Sequence, residues 1–194
     1  MQNREAPQLK TVVAPAINSE KDISSVFNVN KEKNNVINNG LDIDIFIPYK
    51  EIERNPTKLI TTASADVALK GLDYTLKSLA SLVNDFPEIS LLVIGKMKKG
   101  GHTSRLIDEL GIKDKVSFRT GLTKKDIAKE YASSSIAIVS SLYEGFGYPV
   151  IEAMSCEIPL IATNVSSIPE LVGDYAKLIP PMNKNELSNA IRSI

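Results

Sequence analysis

Cysteine is almost missing from this chain. Its one copy, Cys156, cannot close an internal disulfide, and nothing near it suggests a metal cluster, so a reducing cytoplasm is the simplest setting. Read alone, Cys156 is a small buried hydrophobe. Net charge is missing too, because Lys plus Arg and Asp plus Glu both number 23. No overall field draws the chain toward nucleic acid or an anionic membrane, and any bound anion must be held by local groups. Long apolar runs are lacking, so no segment approaches a membrane span. The opening MQNREAPQLKTVVAPAINSE has too short an apolar stretch, interrupted by Pro15, to read as a signal peptide, and Ala14 to Ala16 is not expected to be a cleavage site. No internal repeat of solenoid period is present.

What is present is enough for one well-buried core and a fragment of a second: 194 residues, 43% of them hydrophobic. Residues 18–49 are polar and rich in asparagine, with an Asn-Asn-Gly turn and Pro48 near the end. Before them, TVVAPA reads as one strand and SEKDISSVF as one short helix, too little for a domain. The division expected is a remnant of an N-terminal domain plus linker over 1–49, and a main domain over 50–194 that stops short of its C-terminal end. Lys50 to Thr57 reads as a connector.

From Lys58 onward, strand-length apolar runs alternate with helical patterns. The strands are KLITTA, SLLVIG, KVSFRT, SIAIVSS, PLIAT and AKLIP, and the alternation predicts an α/β, Rossmann-like parallel sheet with helices on both faces. The first helix is marked by Leu72, Leu76, Leu79 and Val83. Thr123 and Asn183, the latter with Glu186 three residues on, mark two later helix starts. No Gly-x-Gly-x-x-Gly turn follows the first strand, which speaks against a dinucleotide-dependent dehydrogenase.

Ligands in such sheets bind outside the carboxyl ends of the strands. The loop SLYEGFGYP, Ser141 to Pro149, runs from a buried strand into a helix that Pro149 can open. Gly145 and Gly147 permit close backbone approach, and amides at a helix start attract phosphate. Glu144 and Glu152 then need another task, since carboxylates beside phosphate repel it and carboxylates accept strongly from hydroxyls. A ligand with phosphates in the middle and polyols on each side, such as a nucleotide-sugar, uses all of these features. Taken singly, Glu144 also reads as a solvated loop acid, Glu152 as a complement to the helix dipole, and Lys70 as a surface lysine.

The stretch SLYEGFGYPVIEAMSCEIPLIATNVSSIPELVGD resembles the donor-binding signature of glycosyltransferase family 4, retaining enzymes of the GT-B fold. TTASADVALKGL resembles that family's Lys-Gly helix start, and VINNGLDIDIFIP its linker. The resemblance covers residues 35–194 and, more weakly, 11–34. It implies that Glu144, with the backbone of Gly145, Phe146 and Gly147, holds the donor sugar. It further implies that Glu152 takes the ribose hydroxyls, that Lys70 with the amides at Gly147 and Tyr148 meets the diphosphate, and that the base lies by Gly95, Phe118 and Arg119. Glu144 and Lys70 are the catalytic positions of this reading, which involves no metal and no cofactor. The Asp42 to Asp44 "DID" reads as structural, and the lone His102 as a solvated loop residue.

The expected partners are a nucleoside-diphosphate sugar, an unidentified acceptor (glycan, lipid or small molecule), and a first domain that carries the acceptor site and any peripheral membrane association. The chain alone is then expected to turn over poorly. The rival readings are a nucleotide-sugar-binding module without transfer activity and another GT-B enzyme such as a nucleotide-sugar epimerase. The chain departs from the family pattern at Ala65, where an arginine is usual and for which Lys96, Lys98 or Arg119 could substitute. It departs again at Glu157, and at Ser166 and Ser167, where glycines are usual.

Overall fold

The computed structural model of the protein describes residues 6–64 and 66–194. Strand β1 (Val12–Ala14), helix α1 (Ile17–Phe27) and strand β2 (Asn34–Val36) form a small unit with β1 and β2 parallel. β2 falls in the asparagine-rich stretch, where sequence showed only a polar segment, because asparagine is a poor strand former. Tertiary contacts override that preference: the Asn34 amide donates to Glu20 Oε1 at 2.9 Å and Ser24 Oγ at 2.6 Å on α1.

The main sheet follows the expected alternation. Its elements are β3 (Asn55–Thr62), α2 (Leu72–Leu82), β4 (Ser90–Ile94), α3 (His102–Glu109), β5 (Val116–Arg119) and α4 (Lys124–Ala132). They continue with β6 (Ser134–Val139), α5 (Tyr148–Ser155), β7 (Leu160–Thr163), α6 (Ile168–Val172), β8 (Lys177–Ile179) and α7 (Lys184–Arg192). All six strands are parallel, in the order β5-β4-β3-β6-β7-β8.

Successive residues of a strand point to opposite faces, so an uninterrupted apolar strand needs cover on both. Leu59, Leu91, Val93, Ile136, Ile138 and Ile161 pack under α2, α3 and α7. Their neighbours Ile60, Leu92, Ala137, Val139 and Leu160 pack under α4, α5 and α6. On α2, Leu76, Leu79 and Leu82 are completely buried, each stabilising by about 2 kcal/mol. Thr123 caps α4 in a reciprocal box with Asp126, and the Asn183 side chain accepts from the Glu186 amide at the start of α7.

Two boundaries move. β3 begins at Asn55 rather than after Thr57. Pro56 brings no N–H to the ladder, and the β3–β6 register shifts between Asn55 and Leu59, which hid the first residues of this strand in sequence. The linker is also not free: Phe46 is 2% exposed within the second core, and the Ser155 hydroxyl donates to its carbonyl. Asp42 of the "DID" closes a turn through Phe46 N at 3.0 Å and lies 3.8 Å from Lys124 Nζ, a structural position.

The strand order reverses between β3 and β6. Chain leaving β3 turns toward α2 on one face, chain leaving β6 toward α5 on the other, and the crevice opens where they part.

Candidate functional site

Both loops at this switch point are pinned from below by buried hydroxyls. After β3, Ala68–Lys70 makes one 3-10 turn and Gly71, at φ 64, starts α2. A Cβ on Gly71 would lie 1.9 Å from the Ser140 carbonyl oxygen, so only glycine lets this turn lie against the end of β6. Ser140 accepts from Thr75 Oγ1 at 2.9 Å, and its hydroxyl contacts the carbonyls of Lys70 and Gly71 at 3.2 and 3.1 Å.

After β6, the completely buried Ser167 donates to the carbonyls of Glu144 at 2.7 Å and Phe146 at 2.9 Å. Thr163 Oγ1 holds the Ser141 carbonyl at 2.5 Å, and Ser19 of α1 donates to the Gly145 carbonyl. Gly147 has φ 110 at the start of α5. Tyr148 is the first helical residue and Pro149 the second, one position later than expected. Phe146 is buried and meets the exposed Tyr148 edge to face at 5.4 Å. With the carbonyls taken up below, no backbone hydrogen bond engages the amides of Gly145, Phe146, Gly147 or Tyr148 among the described residues. Such amides at a helix start suit an anion.

Lys70 and Glu144, 74 positions apart in sequence, meet here. Lys70 Nζ lies 2.8 Å from Glu144 Oε2, which also accepts from Ser141 Oγ at 3.1 Å. Glu152 sits farther along α5, half-buried, with its Oε2 accepting from the Tyr131 hydroxyl at 3.4 Å. Burial raises the Glu152 carboxyl above the usual range, while the Tyr131 bond and the Lys124 charge pull it down. Tyr131 is itself fully buried, and burial foremost raises its phenol. Cys156, one turn beyond Glu152, lies in the second core with its thiol pushed up to about 12 by burial, as a packing residue would be.

The base-side residues stand apart from this cluster. Gly95 N donates to the Arg119 carbonyl at 2.8 Å, so both line the carboxyl ends of β4 and β5. A Cβ on Gly95 would lie 2.0 Å from the Ala63 carbonyl oxygen, which gives this glycine a packing reason as well. The Arg119 guanidinium turns to Glu130 on α4, which also binds Lys58 at 2.6 Å. Lys96 and Lys98 are exposed, and Ala65 lies outside the described residues. His102 opens α3 rather than sitting in a loop, and its Nε2 lies 2.7 Å from Asp73 Oδ2.

The glycine departures have backbone explanations. Glu157 and Ser166 have φ 53 and 49, the left-handed region where glycine is unstrained. Glu157 is just past the C-terminal end of α5, away from Gly147. Ser167 was read from sequence only as a departure, yet it is the scaffold of the loop. Tyr131 and Ser140 were not singled out at all. Asp66 was also missed; it accepts from Thr103 N at 2.8 Å and donates its own amide to Thr103 Oγ1 at 3.1 Å, latching the β3 loop to α3.

Among curated proteins, the chain is similar to an MMP alpha-(1->4)-mannosyltransferase of Mycolicibacterium hassiacum, 36% identical over 191 residues. That match covers 97% of this chain and 46% of the relative. A D-inositol 3-phosphate glycosyltransferase of Mycolicibacterium smegmatis is 28% identical over 162 residues, covering 77% of this chain and 36% of that protein. The chain therefore spans about half or less of the length of these relatives. Among solved structures, Anabaena Alr3699/HepE in complex with UDP-glucose superposes with a TM-score of 0.85 at 22% identity, over 99% of this chain and 56% of that one. The sucrose-phosphate synthase of Thermosynechococcus elongatus superposes with a TM-score of 0.83 at 23% identity, over 99% and 50%. At such identities the likeness is one of fold, that of half a GT-B glycosyltransferase. The family model for glycosyl transferases group 1 matches residues 46–194, and the chain belongs to that family.

Proposed function

We propose that this chain is the donor-binding half of a retaining, family-4-type glycosyltransferase that takes a nucleoside-diphosphate hexose. The observation that carries the reading is the free amide row from Gly145 to Tyr148, flanked by the Lys70–Glu144 pair. The diphosphate lies on the amides and Lys70. Glu144, with the Gly145–Gly147 backbone, accepts from the sugar hydroxyls, Glu152 from the ribose, and the base rests by Gly95 and the Arg119 backbone.

In the transfer, the bond between the anomeric carbon and the diphosphate oxygen breaks, that carbon bonds to an acceptor hydroxyl oxygen on the same face, and the hydroxyl proton passes to the departing diphosphate. Negative charge grows on the departing diphosphate, where Lys70 and the amides of Gly147 and Tyr148 oppose it. These groups supply the electrostatic stabilisation from the protein itself, without metal or cofactor. Residues 1–49 are assigned to the acceptor-side domain and its linker, and 50–194 to the donor domain. The acceptor site lies in the other half of the enzyme, and the reaction belongs to the cytoplasm. The mannosyl activity named for one relative and the UDP-glucose of one structural neighbour support a hexosyl donor.

Calorimetric titration with uridine, guanosine and adenosine diphosphate sugars tests the reading on wild type and Glu152→Ala. Binding of one donor class, weakened by the substitution, is expected. No binding, or binding indifferent to Glu152, removes the site assignment.

A further inference from the structure

Tyr131 heads the fully buried side chains by size, with 1% exposure. A phenylalanine would fill the same volume without burying a hydroxyl, whose desolvation costs unless it is bonded. The hydroxyl joins three elements that meet at the switch point. It lies 3.1 Å from Thr62 Oγ1 at the end of β3, 3.4 Å from Glu152 Oε2 and 3.5 Å from the Pro149 carbonyl on α5. Tyr131 is the one side chain that hydrogen bonds to the Glu152 carboxylate among the described residues.

A half-buried glutamate on a helix has several staggered rotamers, and each puts its oxygens in a different place. Anchoring Oε2 from beneath selects one of them, and Oε1 has no hydrogen-bond partner among the described residues. We propose that Tyr131, itself held by Thr62, is a positioning residue that fixes Glu152 by one oxygen so that the other receives the ribose hydroxyls of the nucleotide. The inference rests on the assignment of Glu152 to the ribose made above. The hydroxyl therefore acts on recognition of the ribose, while the ring fills the core between α4, α5 and the sheet.

The test compares Tyr131→Phe with wild type by calorimetry, using uridine, guanosine and adenosine diphosphates and the 2′-deoxy form of whichever binds best. The substitution is expected to weaken the ribonucleotide about 5-fold, the usual net effect of one hydrogen bond. It should weaken the 2′-deoxy form less, since only its 3′-hydroxyl remains to be received, so that the preference for ribose shrinks. A general structural role would weaken both forms alike. If Tyr131→Phe retains the full ribose preference of wild type, the positioning role is overturned while the Glu152 assignment stands. If wild type shows no ribose preference, or binds none of the three, both the assignment and this inference fall. Should Tyr131→Phe not fold, as read by circular dichroism, Thr62→Val carries the test: the preference is expected to shrink in part, and an unchanged preference overturns the proposal.

Discussion

Lys70 Nζ stands 2.8 Å from Glu144 Oε2, so the two groups assigned to opposite parts of the donor neutralise each other. One comes from the turn before α2, the other from the loop before α5, and Gly71 and Ser140 bring those segments into contact. A donor bound as proposed parts this pair, offering phosphate to the cation and hydroxyls to the carboxylate.

Glu144→Gln is therefore expected to affect nucleotide and nucleotide-sugar in opposite directions. Freeing Lys70 from a partly exposed ion pair, usually about 0.2–1 kcal/mol, should tighten nucleoside diphosphate binding by up to about 5-fold. The extra affinity contributed by the sugar should fall about 10-fold or more, because a charged acceptor is lost. Lys70→Ala should weaken both ligands. Titration of the two variants with diphosphate and diphosphate sugar distinguishes these outcomes, and equal losses for both ligands in Glu144→Gln would contradict the shared pair.

Ser167→Ala leaves two carbonyls, of Glu144 and Phe146, without their buried donor. A loss of about 1–3 kcal/mol is expected in urea denaturation. Donor affinity should fall as well, since the same hydroxyl shapes the amide row.

Glu157→Gly relieves a left-handed residue at the end of α5. Stabilisation of about 0.5–1 kcal/mol is expected, the strain relieved exceeding the entropy glycine adds to the unfolded chain. Nucleotide binding should not change, because the whole of α5 lies between Tyr148 and Glu157, and its seven helical steps alone span about 10 Å. A changed affinity would return Glu157 to the donor site.

Glu152→Gln tests the buried carboxyl through pH. The folded carboxyl titrates above 4.5 because burial disfavours its charge. The folded state then holds this proton more tightly than the unfolded chain. The stability this contributes is full below about pH 4.5 and is lost as pH rises through the folded value. The glutamine variant cannot ionise, so its stability relative to wild type should rise from pH 4 to pH 7 in thermal melts. A difference that stays constant with pH would mean that burial does not perturb Glu152.

Sequence by itself determined the alternation of six apolar strands with amphipathic helices, because burial on both faces leaves a continuous run that can be read locally. It also determined the SLYEGFGYP loop, whose glycines and proline carry backbone requirements within a few residues of one another. It could not show β2, where pairing with β1 and an anchored Asn34 override poor propensity, nor the first residues of β3 around Pro56. Tertiary structure alone decided that Lys70 reaches Glu144, that Arg119 turns toward Glu130, and that Tyr131, Ser140 and Ser167 hold the site from beneath. The reason is physical: each of these contacts joins chain segments that only the strand order brings together, and a buried hydroxyl has no periodicity by which sequence could announce its partner.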